Sequence, residues 1–166
     1  MNNNDILLRL RYALDIKDTD MVEMFRLAGV ELTLQEVKDM LTKQEYLMTS
    51  EDDGNVYVKS CDNAMIDSFF NGFITFKRGR KDDQPLPPQQ KSKEIRHINN
   101  LLLKKVKIAL SLTSDDMLEI LDDAGVYLSK GELSAVLRKD DHRNFKKCGD
   151  KFARNFLKGL ALRYRN

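Results

Sequence analysis

Two imidazoles and two thiols, His97, His142, Cys61 and Cys148, are all the readily recruited nucleophilic or soft metal-ligating side chains in this 166-residue chain. Their spacing assembles nothing. No Cys-x-x-Cys, His-Glu-x-x-His, Gly-x-Ser-x-Gly or glycine-rich phosphate loop is present, so the usual zinc, hydrolase and nucleotide signatures are all missing. The nearest approach to a calcium loop is Glu51-Asp52-Asp53-Gly54-Asn55. With Gly54 at its turn position, the first ligand would be Thr49 and the twelfth Ser60, where carboxylates are required. The expectation is no metal, no cofactor and no enzyme. An acid-dependent hydrolase, working with carboxylates or lysines alone, is the remotest alternative.

Basic residues give the stronger lead. Lys104, Lys105, Lys107, Lys147, Lys151, Arg154, Lys158, Arg163 and Arg165 crowd residues 99–166, with Phe145 and Tyr164 among them. Such a cluster reads as a contact surface for an acidic partner protein or for nucleic-acid phosphates. No compact recognition helix accompanies it, so nucleic-acid contacts would go mainly to phosphate and carry little sequence preference. Acids are interspersed, which equally describes an ordinary solvated face. The net charge of +2 hides an asymmetry: residues 1–78 hold 9 Lys/Arg against 14 Asp/Glu, and residues 99–166 hold 14 against 9. Such a balance bears on association and not on fold.

What positions these residues is a unit written twice. Residues 3–43 overlay residues 99–139 at a constant offset of 96, with 15 of 41 positions identical. The match resumes with Cys61 over Cys148 at an offset of 87 and runs through Phe69/Phe156 and Gly72/Gly159. Self-similarity of this kind marks one supersecondary unit built twice. The difference in offset is a nine-residue insertion in the first copy, between Lys43 and Cys61.

Each copy reads as four helices. Ile6, Leu7, Leu10 and Leu14 form a stripe at helical period, repeated by Leu102, Leu103, Val106 and Leu110. A second helix is expected from caps at Asp18 and Ser114, burying Met21, Met24, Phe25 and Ala28, or Met117, Ile120, Leu121 and Ala124. It stops at Gly29 and Gly125, which suit a left-handed C-cap. Thr33-Leu34-Gln35-Glu36 and Ser129-Lys130-Gly131-Glu132 are capping boxes opening a third helix. The fourth, from near Asp62 and Asp150, carries Met65, Phe69, Phe73 and Phe76, or Phe152, Phe156 and Leu160. Gly72 and Gly159 sit inside it, where glycine costs about 1 kcal/mol relative to alanine. Close approach of another helix explains them better than a functional hinge, and the expectation is that helix four meets the other copy, or another subunit, there. Asp20/Asp116 and Glu23/Glu119 recur and read as early acids that favour the helix dipole, with a shared functional face as the alternative.

Residues 79–98 hold all three prolines and read as an extended or disordered linker. The insertion, residues 44–60, fits a short hairpin or a loose loop. No apolar run nears the roughly 18 residues a membrane helix needs, and the first residues lack the basic-then-apolar order of a secretory signal. A cytoplasmic protein without membrane contact is expected. The paired cysteines then read as reduced, buried structural thiols.

Asn-Asn-x-x-Leu-x-x-x-x-Tyr-Ala-Leu at 3–14, the two Ala-Gly-Val turns and Cys-Gly-Asp-Lys-Phe-Ala-Arg-Asn-Phe-Leu-Lys-Gly-Leu at 148–160 resemble the YehS-like family of small bacterial proteins. The resemblance spans nearly the whole chain and implies a domain of unknown function in duplicate, from a bacterial cytosol. The expected fold is all-α: a first copy at 1–78, a linker at 79–98 and a second copy at 99–166. Units this short bury only about 60% of their unfolded surface, so the copies should pack apolar face to apolar face with pseudo-two-fold symmetry. The expected function is a non-enzymatic binding module for a protein or acidic surface, with nucleic-acid binding as the alternative.

Overall fold

The computed structural model describes residues 1–44, 56–79 and 95–165. Among these the chain is all-α. The first copy folds as α1 (Asn3–Leu14), α2 (Asp18–Leu27), α3 (Leu34–Met40) and α4 (Asn63–Arg78), and the second repeats that order as α5 (Ile98–Ala109), α6 (Ser114–Asp123), α7 (Lys130–Leu137) and α8 (Asp150–Tyr164). No helix among the described residues is long and apolar enough to cross a membrane. The core of the insertion and most of the Pro-rich stretch lie outside the described residues. The insertion's flanks pair antiparallel, with Lys43 opposite Tyr57 and the Gln44 N–H donating to the Val56 carbonyl at 2.7 Å.

Helix ends follow the local chemistry. Gly29 and Gly125 take φ of 84° and 87°, and the N–H groups of Val30 and Val126 reach back to the carbonyls of Phe25 and Leu121, the double closure that only a left-handed residue permits cheaply. Thr33 and Glu36 complete both halves of their box. Ser129 accepts the Glu132 N–H, but the Glu132 carboxylate meets the Ser129 hydroxyl instead of its backbone. The second-helix caps fall one residue before those expected. Thr113, not Ser114, exchanges hydrogen bonds with Asp116, because its acid lies three residues on. Lys17, which has no acceptor, precedes α2 without a side-chain cap.

The core is one cluster drawn from both copies. Ala13 and Ala109 are buried, where Leu14 and Leu110 are only partly so. Phe69 is its aromatic centre, with ring centroids 5.2 Å from Phe25 and 6.3 Å from Phe73; such pairs add about 0.5–1.5 kcal/mol beyond the area they bury. Phe76 reaches the rim and stays 36% exposed. Helix four does meet the other copy: α4 packs on α5 and α8 on α1. Its glycines face elsewhere, which corrects the expectation. A Cβ on Gly72 would lie 1.6 Å from the Met24 carbonyl oxygen in α2, and one on Gly159 2.2 Å from that of Ile120 in α6. The glycines therefore let helices two and four of the same copy touch backbone to backbone.

The repeated Asn-Asn pair at the start of helix one is a structural clamp. Asn4 donates to the carbonyls of Met40 and Lys59 and accepts from the Cys61 N–H; Asn100 does the same with Val136, Lys146 and Cys148. Asn3 and Asn99 then donate to the carbonyls of Cys61 and Cys148. Each pair joins the end of helix three to the start of helix four. The cysteines beside them are buried and unpaired with each other, and burial first, a neighbouring aspartate second, pushes both thiols up to about 12.

Pseudo-two-fold symmetry extends to single contacts. The α4·α5 and α8·α1 pairings are equivalents, as are α2·α4 and α6·α8. Arg165 donates to the Tyr12 carbonyl at 2.9 Å, and its counterpart Arg78 donates to that of Ile108, the counterpart of Tyr12, at 3.4 Å. Each fourth helix thus places a cation on the carboxyl end of the other copy's first helix, where the helix dipole favours it.

Candidate functional site

Of the basic residues singled out in the sequence, four come together. Lys151, Arg154 and Lys158 recur at i, i+3 and i+7 on the outward face of α8, and Lys147 precedes them by another four residues. All four are exposed; Lys147 lies in the non-helical segment before α8, and the three cations on the helix, Lys151 to Lys158, span about 10 Å at 1.5 Å per residue. The opposite face of α8 is anchored by Ala153, Phe156, Leu157 and Leu160, all buried. None of the four cations enters a salt bridge among the described residues. Asp150, at the start of the helix, is held below the usual carboxylate range by the Asn99 amide and the Met1 amine, with Arg154 contributing.

The other candidates are engaged elsewhere. Lys105 crosses from α5 to α4, donating to Asp67 at 2.5 Å and Asn71 at 2.7 Å; its side chain is 17% exposed and that of Asp67 9%. Arg163 pairs with Asp116 at 3.4 Å and Glu119 at 3.9 Å. Hydrogen bonds from the Thr113 backbone and hydroxyl, with Arg163 behind them, hold Asp116 below the usual carboxylate range. Arg165 lies over the Tyr12 ring at 4.0 Å and 3.6 Å from Asp15. Lys107 is half-buried and outside the α8 face, and Lys104 lines a separate cleft.

Symmetry explains why the basic face is single. The counterparts of Lys105, Asp67 and Asn71 are Arg9, Arg154 and Lys158. In one place a lysine is neutralised by an aspartate. In the other, α1 brings a further exposed cation, Arg9, to the helix that carries Arg154 and Lys158, so the cations continue across the α1·α8 seam.

The separate cleft belongs to the second copy. It encloses about 390 Å³ between the start of α5 and the segment joining α7 to α8. Arg96 reaches across it to Asp140 at 2.9 Å, and this guanidinium holds the Asp140 carboxyl below its usual range. The His97 and Phe145 rings meet at 5.1 Å on one wall. His142, the other imidazole, accepts the Asn144 N–H in a turn. No group of three or more His, Cys, Asp or Glu side chains suited to a metal occurs among the described residues. Sequence reasoning found the α8 cations but not the cleft, whose walls come from segments more than 30 residues apart.

A family profile described as a protein of unknown function, DUF1456, matches residues 3–79 and 99–166, one stretch on each copy. The chain is also 38% identical over 164 residues to the uncharacterized protein YehS of Escherichia coli (strain K12), covering 98% of this chain and 96% of that protein. No solved structure matches.

Proposed function

The chain belongs to the DUF1456 family of unknown function, and on that premise we propose that it is a non-enzymatic binding module whose α8 face engages a partner presenting negative charge. The observation that carries this reading is the run of Lys147, Lys151, Arg154 and Lys158 without an ion-pair partner among the described residues, beside Arg9 of the other copy. Aligned cations repel one another and gain nothing for the fold; an acidic partner removes that cost and is drawn to it at long range. An acidic protein surface is the first reading. Nucleic acid is the second, favoured by the roughly 10 Å axial run of cations from Lys151 to Lys158, which can follow successive phosphates.

Affinity purification from the native cell, with and without nuclease, tests both. The informative variant replaces Lys151, Arg154 and Lys158 with the first copy's own residues, Ala, Asp and Asn. A protein partner retained through nuclease treatment and lost by the variant supports the first reading. Nucleic-acid binding whose salt dependence flattens by about one unit of slope per lost contact supports the second. A variant that binds every partner as well as the parent overturns the proposal.

A further inference from the structure

The first copy shows what the second copy's cleft can hold. Tyr57, only 6% exposed, donates its hydroxyl to Asp5 at 2.6 Å and pairs through its backbone with Lys43. Asp5 and Lys43 are the counterparts of Leu101 and Lys139, two residues of the cleft wall. An aromatic ring from the insertion therefore covers, in the first copy, the surface that the second copy leaves open among the described residues. The second copy lacks the nine-residue insertion that supplies that ring. Two further wall positions have changed in kind, with Lys104 and Arg138 standing where the first copy has Leu8 and Thr42.

We propose that this cleft binds a phosphate monoester carried on a flat ring, in class a nucleoside monophosphate. This goes beyond the α8 face and does not depend on it. The ring takes the place of Tyr57, against Leu101 and Phe145. The phosphate follows from charge: Arg96, Lys104, Arg138 and Lys139 against Asp140 and Asp141 leave two positive charges, matching a dianion. Arg96 is held by Asp140, whereas Lys104 and Lys139 make no ion pair among the described residues. The Arg138 guanidinium makes one long hydrogen bond, 3.4 Å to the Asn144 carbonyl, and retains donors for a phosphate, which a guanidinium meets through paired bonds. A volume of about 390 Å³ lies in the range of small-molecule sites, about 300–1,000 Å³.

Titration calorimetry of the full-length chain with AMP, adenosine and inorganic phosphate tests the proposal. AMP is expected to bind at least about tenfold more tightly than adenosine or phosphate. Lys104→Leu combined with Arg138→Thr, which installs the first copy's residues, should weaken AMP at least about tenfold while the unliganded protein melts unchanged. Should that variant unfold, Lys139→Gln on the exposed rim tests the same point by a smaller weakening. No heat with AMP at millimolar concentration, inorganic phosphate binding as tightly as AMP, or folded variants that bind AMP undiminished would each overturn the proposal.

Discussion

Replacing Gly72 with alanine should be among the most damaging single-methyl additions in this protein. Real Cβ atoms essentially never come within 3.0 Å of another heavy atom, so the methyl falls about 1.4 Å short of room at the Met24 carbonyl, and the same change at Gly159 falls about 0.8 Å short at Ile120. The obstacle is backbone in both cases, so relief requires α4 to move off α2, or α8 off α6, with loss of the Phe25–Phe69 contact in the first copy. Overpacking costs about 1–3 kcal/mol and at times more, against a helix-propensity gain of about 1 kcal/mol. The net expectation is a loss of about 1–2 kcal/mol for Gly159→Ala and about 3 kcal/mol or more for Gly72→Ala, a large share of the roughly 5–15 kcal/mol that holds a domain folded. Gly131→Ala is the control: its nearest neighbour would be the Ser129 hydroxyl at 3.9 Å, so alanine there should stabilise by up to about 1 kcal/mol. Urea unfolding followed by far-ultraviolet circular dichroism measures all three. Stabilisation by Gly72→Ala, or equal losses at the two crossings, would refute the backbone-contact reasoning.

Two further outcomes can be checked with the same unfolding measurement. Lys105→Met strands the nearly buried Asp67 carboxylate and should cost about 1–3 kcal/mol, below the figure for a fully buried pair because Lys105 retains some solvent. Arg9→Met at the symmetry-related place should stay within about 0.5 kcal/mol; equal effects would show that the asymmetry carries no energy. The thiols predict an alkaline limb. Each cysteine titrates near 9 when exposed and near 12 when folded, so the native state holds more protons across that window and stability falls as pH rises through it. Tyr57, raised above its ordinary value by burial and then by Asp5, adds to the same fall. A Cys61→Ala, Cys148→Ala double variant should show a shallower decline between about pH 9 and 12 in pH-dependent unfolding, and an unchanged slope would remove the thiols from the account.

The helices, their order and the two glycine stops were legible because each rests on near-neighbour rules: apolar spacing, a side-chain acceptor three residues ahead of an N–H, a glycine where the backbone turns left-handed. The Asn-Asn pair was visible as a repeat, but its role was not. An amide at a helix start looks like surface until the ends of two other helices are brought onto it. Gly72 and Gly159 were legible as close approaches, and the partner was misread because period alone cannot tell which neighbour faces a position. Lys105 entered the basic surface on composition and left it once α4 supplied Asp67. The cleft had no local signal at all, since Arg96, Lys104 and Arg138 converge only through the fold.

In a dimer of identical chains, two-fold symmetry makes every cross-contact occur twice: residue i meets j, and j meets i. A substitution at such an interface is therefore made in both places at once, and a cation that benefits one seam must be accommodated at the other. Joining the two halves in one chain lifts that coupling. Lys105 can keep its aspartate on one side of the axis while the equivalent place on the other side gathers Arg9, Arg154 and Lys158. Both seams pack, but one closes on an ion pair while the equivalent place on its twin is left at liberty to present cations.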